Sequence, residues 1–266
     1  MILVKKSASL PKAFALTLGI LFLYILIGLF LDGAFLAEKY PNIQIVADIV
    51  VWLLYLLSFR RATKKVKTFM VLGVLIAIGG EYLFSLGFEM YTYRLGNVPW
   101  YVPLGHTMLY ITAIYFCKAA AVRAKKKQLE KYFMIGIAIY ATGFLIFLGD
   151  IYGFILTVFT LLILWKNPRE RLFYLTLYII VAYLEIIGTS YNCWHWPPIL
   201  CGEFGLIKSS NPPCGISFWY FGLELGSLFI YKLTHKTAWR RMKNIRFMRE
   251  ERNEKIDKNI MIEAKG

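Results

Sequence analysis

Acidic residues are scarce in this chain: 16 Asp and Glu stand against 31 Lys and Arg, a formal net charge of +15. The common catalytic signatures are missing too. No P-loop, dinucleotide fingerprint, H-E-x-x-H or G-x-S-x-G occurs, which argues against nucleotide, zinc-protease and serine-hydrolase chemistry. Cysteine is limited to four residues. Cys193, Cys201 and Cys214 lie in or beside one loop, and even with His195 nearby their spacing matches no zinc pattern. We therefore expect no metal and no cofactor. On an oxidising side of a membrane any two of the three can pair, leaving one thiol over. The basic excess does not imply nucleic acid as a partner. The Lys and Arg fall between apolar runs and in the tail, where membrane topology puts them.

What the chain has in quantity is apolar residues, 58% of the total, with a mean hydropathy of +0.55. Ordinary soluble domains hold about 45–50%. Eight stretches approach the ~20 residues that cross a bilayer. They run over 14–31, 43–59, 69–88, 102–122, 133–148, 151–165, 172–191 and 216–233. The fifth and sixth are joined by the tight turn Leu148-Gly149-Asp150. With the N-terminus inside, every Lys and Arg except Lys39, Arg94 and Lys208 falls in an inside segment, as the positive-inside rule requires. The expectation is an all-α, multi-pass protein of the inner (plasma) membrane with eight transmembrane helices and both termini cytoplasmic. Residues 1–234 form the membrane domain and 235–266 a basic cytoplasmic tail lying near anionic headgroups. The first apolar run exceeds the 7–15 residues of a signal core, and no A-x-A site follows it, so it reads as a retained span.

Two segments resemble each other. Glu81 is followed by Gly87, Tyr91, Tyr93 and Pro99, and Glu185 by Gly188, Tyr191, Trp194, Trp196 and Pro197. Glu81 lies as far beyond Lys67 as Glu185 lies beyond Arg171. At 1.5 Å per residue both carboxyls sit about 21 Å above the inner surface. Four spans separate the copies, so both run in the same direction. This predicts two parallel four-helix halves, 1–131 and 132–234, related by an axis along the membrane normal.

Ionisable groups inside a bilayer cost about 2.5–3.5 kcal/mol on insertion scales and usually have a role. Four carboxyls fall within spans, Asp48, Glu81, Glu185 and Glu224, and His106 lies just inside an outer end. Asp48 reads either as a site residue or as a helix cap close to water. Glu224, between Gly222 and Gly226 in a G-x-x-x-G pattern, reads as a site residue or an interhelical hydrogen-bonding group. The outer loops carry Tyr91, Tyr93, Arg94 and Trp100 in one, and Trp194, His195 and Trp196 in the other. Such aromatics anchor interfaces, but above two matched carboxyls they also suit a lid over a pocket.

The run Glu81, Gly87, Tyr91-Thr92-Tyr93, Val98-Pro99, Val102-Pro103-Leu104 resembles a signature of bacterial carotenoid biosynthesis membrane proteins. These include the carotenoid hydratase family, which adds water to the terminal double bond of acyclic carotenoids. The resemblance implies that Glu81, protonated, donates to an isoprenoid double bond. It further implies that Glu185 or a relayed His106 takes a proton from the attacking water. Tyr91, Tyr93, Trp194 and Trp196 would then face the cation. Arg94, His195, Asp48 and Glu224 complete the candidate substrate-binding set. The expected activity is a hydratase- or lyase-type reaction on a membrane isoprenoid or lipid. The alternatives are a proton-coupled transporter and a non-catalytic membrane scaffold.

Overall fold

In lipid every backbone N–H and C=O must be satisfied within the chain, and helices do this segment by segment. The computed structural model describes residues 9–199, 207–241 and 244, and helix dominates them. The first long helix runs from Leu10 to Lys39. It comprises α1 (Leu10–Phe14), a π-helical turn, α2 (Ile20–Asp32) and α3 (Ala34–Lys39), with an extended Gly33 between the last two. α4 (Gln44–Arg61) and α5 (Lys64–Glu81) follow, and α5 continues as a π-helical stretch over Tyr82–Gly87. After strand β1 (Thr92–Tyr93) come α6 (Tyr101–Lys118), the short α7 (Ala120–Ala124), α8 (Lys126–Leu148), α9 (Ile151–Lys166) and α10 (Arg171–Ser190). Strand β2 (Trp194–His195) precedes α11 (Ser217–Thr234).

Each of the eight apolar stretches is thus largely helical, but several boundaries differ: the first helix spans 10–39 rather than 14–31, α5 starts at Lys64 rather than 69, and α8 starts at Lys126 rather than 133. The fourth was expected to reach Val122, but α6 ends at Lys118, and Ala119 turns extended just as the run becomes basic. Among the described residues four helices are long and apolar enough to cross a membrane: 10–39, 64–87, 126–148 and 171–190. The others are shorter or more charged. α9 has 16 residues, and α4 carries Asp48, Arg60 and Arg61.

α5 packs on α6 and α11, and α10 packs on both of the same helices. α4 leans on α2 and α6, while α8 and α9 pair with each other and flank α10. The core is therefore α6 and α10, with Ile111, Ala113, Phe116, Leu175 and Ile180 at 2% exposure or less. The outward faces are apolar as well. Ile139 is 69% exposed, Phe147 84% and Trp165 70%. Water would penalise such surfaces by about 25 cal/mol per Å², so these faces suit lipid. The 148–150 turn forms as anticipated. Gly149 takes a left-handed φ of 67° that closes α8, and Asp150 accepts from the Gly153 N–H at 3.0 Å to cap α9.

Candidate functional site

The two loops that carry the aromatics meet. β1 and β2 pair antiparallel, with Thr92 opposite His195 and Tyr93 opposite Trp194. The Arg94 N–H extends the ladder to the Cys193 carbonyl at 2.9 Å. Beneath this ribbon lie both glutamates, fully packed at 4% and 2% exposure.

Three donors converge on each carboxylate. Glu81 Oε2 accepts the hydroxyls of Tyr91 and Tyr93, both at 2.6 Å, and its Oε1 meets His106 Nε2 at 2.6 Å. Glu185 Oε2 accepts the indole N–H groups of Trp194 at 2.8 Å and Trp196 at 3.0 Å, while Oε1 accepts the Tyr220 hydroxyl at 2.8 Å. Burial and the Glu81 charge push the Tyr91 and Tyr93 phenols well above their ordinary pKa, so both keep the protons they donate.

The donors also contact one another in pairs. Tyr91 lies on Trp196 with ring centroids 4.5 Å apart, Tyr93 on Trp194 at 6.1 Å, and His106 on Tyr220 at 4.6 Å. Exchanging Tyr91 with Trp194, Tyr93 with Trp196 and His106 with Tyr220 maps this set onto itself. The same exchange leaves Thr92 opposite His195, the observed register. It extends into the helices. His106 and Tyr220 stand at the same distance in sequence from Pro99 and Pro213, and each proline carbonyl accepts a backbone N–H three residues on, from Val102 and Ile216. The local arrangement is two-fold.

Local chain features let these side chains reach. The π-helical stretch begins immediately after Glu81, a distortion frequent at functional sites. Gly188 has no side chain where a Cβ would overlap the Trp194 ring, so the indole packs against α10 there and reaches Glu185.

Both carboxylates line a single large cavity of about 1230 Å³, counting its open mouth. The remaining lining is mostly apolar, from α2, α4, α6 and α11, including Leu21, Ile25, Val51, Met108 and Leu223. Among the described lining residues there is no Lys or Arg. Two buried polar atoms on these residues have no partner among the described residues, the Tyr24 hydroxyl and His106 Nδ1.

Of the residues singled out from sequence, Glu81, Glu185, His106, Tyr91, Tyr93, Trp194 and Trp196 are brought together here. The other four lie elsewhere. Arg94 pairs with Asp32, its Nη2 on Oδ1 at 2.7 Å and its Nε on the Asp32 carbonyl at 2.9 Å. Asp48 accepts the Tyr101 N–H at 2.7 Å at the start of α6. Glu224 accepts the Tyr174 hydroxyl at 2.7 Å between α11 and α10. His195 is exposed and receives the Asn211 side-chain amide at 2.9 Å.

Sequence reasoning passed over Tyr220, Tyr24, Asp32 and Asp150. Asp32 is 0% exposed and also accepts the Tyr101 hydroxyl at 2.7 Å and the Gln44 amide at 3.2 Å. Asp150, equally buried, receives the N–H groups of Gly153, Ser210 and Cys214. Both stand at the end of an apolar run beside a glycine, the one signal that could have marked them. Cys193 and Cys214 are free thiols, and burial pushes the Cys193 thiol up, so it stays protonated and donates to the Leu29 carbonyl at 3.2 Å. Cys201 lies outside the described residues, and among the described ones no three His, Cys, Asp or Glu cluster as metal ligands would.

The chain matches no family model, and no curated protein or solved structure is found to be similar to it.

Proposed function

We propose that this is a membrane enzyme that performs acid/base chemistry on a double bond of an isoprenoid or other lipid, within the outer half of the bilayer. The observation that carries the reading is the pair of buried carboxylates, each held by three donors, facing one apolar cavity with no Lys or Arg among its described lining. Such a pocket suits an apolar ligand, and its aromatic walls suit positive charge that develops on that ligand. The resemblance of residues 81–104 to carotenoid hydratases makes an isoprenoid alkene the natural substrate. The chain would cross the membrane eight times with both termini cytoplasmic, as the placement of Lys and Arg requires. The two-fold site supports an origin in two fused four-helix halves.

In the forward step the π pair of the alkene takes a proton from the Glu81–His106 side, forming a C–H bond and leaving a tertiary cation. A water oxygen then attacks that carbon, and the proton it loses returns to the protein. One water is added and the site is regenerated. A proton-coupled transporter would have to part its halves at this cavity. Three ring contacts tie the two carboxylate cradles together there, which favours the enzyme. A scaffold leaves the cavity without a use.

The test compares total pigment and lipid extracts by mass spectrometry from cells with and without the gene, precursors being present. A species heavier by one water, absent with Glu81→Gln, is the expected result. Unchanged extracts at confirmed expression would sink the hydratase reading and turn attention to proton-coupled uptake.

A further inference from the structure

The two cradles are alike in geometry but not in chemistry. Of the donors on Glu185, the two indole N–H groups donate and never accept, and the Tyr220 hydroxyl, which could also accept, gives its proton to Oε1. A proton added to Glu185 would displace one of these donated bonds and leave a buried N–H or O–H without its acceptor. At Glu81 two tyrosines are equally committed, but the third partner is an imidazole. On the line from Oε1 to Nε2 one proton can reside on either atom with no bond lost. The symmetry of the site is broken at this point, where His106 faces Tyr220 across the two-fold. His106 Nδ1 moreover has no partner among the described residues, so the same ring offers a second nitrogen for exchange with a ligand or a water.

From this asymmetry we infer a division of labour: the Glu81–His106 couple alone exchanges protons with the ligand, while Glu185 stays an anion throughout and supplies the fixed negative charge against which positive charge is held. The inference rests on reading the cavity as a proton-transfer site and assigns its two ends. Glu81 and His106 share one proton, which leaves to the ligand and returns from it. Tyr91 and Tyr93 are positioning residues that hold Glu81 toward the imidazole. Trp194, Trp196 and Tyr220 keep Glu185 charged.

The test needs no substrate, so it can fail independently of the proposed activity. The full chain is reconstituted in lipid nanodiscs, and its infrared spectrum is followed on acidification for the carbonyl stretch of a protonated carboxyl. In parallel, nitrogen-15 histidine spectra follow the imidazoles, of which the chain has three. A pH-dependent carboxyl band that is lost in Glu81→Gln, moved in midpoint in His106→Gln and unchanged in Glu185→Gln is expected. Should either variant fail to fold, the wild-type His106 resonance decides, and it is expected to titrate with the same midpoint as the band. A band lost in Glu185→Gln would overturn the assignment. So would a His106 resonance that stays constant across the pH range.

Discussion

A buried carboxylate is tolerable only with its lone pairs filled, and small neighbours decide whether the donors can reach. Gly188 is the sharpest instance. Replacing it by Ala puts a methyl into the Trp194 ring, so the indole must leave Glu185. Gly188→Ala is expected to lower the thermal midpoint in detergent and to shift tryptophan emission to the red as the indole turns toward water. An unchanged spectrum would show that Trp194 is held by something else. Asp32 makes a similar argument at the other end of the ribbon. Arg94→Ala leaves it buried without its cation, at a cost of about 3 kcal/mol, the low end for a broken buried pair because Tyr101 and Gln44 remain. Arg94→Gln with Asp32→Asn should recover most of that loss in an unfolding titration, since neither side is then left charged. Glu81 and Glu185 were legible from the sequence because charge in an apolar run is conspicuous and their heights could be counted. Tyr220 was not legible, being one aromatic among many, and its choice of Glu185 is made by how α11 packs.

At the scale of elements, the two-residue ribbon does more than its length suggests. It is too short to be stable alone. The side chains beneath it fix it: Tyr91 and Tyr93 on Glu81, Trp194 and Trp196 on Glu185. Thr92 and His195 are directly opposed, and in an antiparallel pair such residues have Cα atoms about 5.5 Å apart, within disulfide range. Thr92→Cys with His195→Cys is expected to oxidise readily and to raise the thermal midpoint, with mass spectrometry showing the bridge. Failure to cross-link would mean that the loops part in solution. The matched Y-x-Y and W-x-W spacing was visible in the sequence, as was the parallel sense of the two segments. That the loops pair with each other was not, because neither shows a strand pattern longer than three residues. Arg94, Asp48, His195 and Glu224 were grouped with the site for a related reason. Height and residue type place a side chain in the membrane but do not say which way its helix or loop turns it.

For the whole molecule, the apolar outer faces and the inner basic turns are one pattern seen twice. Lys126 donates to the carbonyls of Pro168 and Arg169 at 3.1 and 3.3 Å, bringing the turns before α8 and α10 to the same end. The proposed eight-crossing topology would put that end in the cytoplasm and the ribbon outside. In a cysteine-free background, Glu89→Cys is expected to react with a membrane-impermeant maleimide on intact spheroplasts, and Lys125→Cys only after lysis. The reverse order would invert the orientation, and equal reactivity would end the eight-span reading.

Three of the chain's seven tryptophans, Trp194, Trp196 and Trp219, border the cavity, and two of them bond directly to Glu185. The cavity therefore carries its own reporter. A polyene or other light-absorbing ligand seated there would quench intrinsic emission by energy transfer, and the unmodified protein could screen a lipid extract by its own fluorescence.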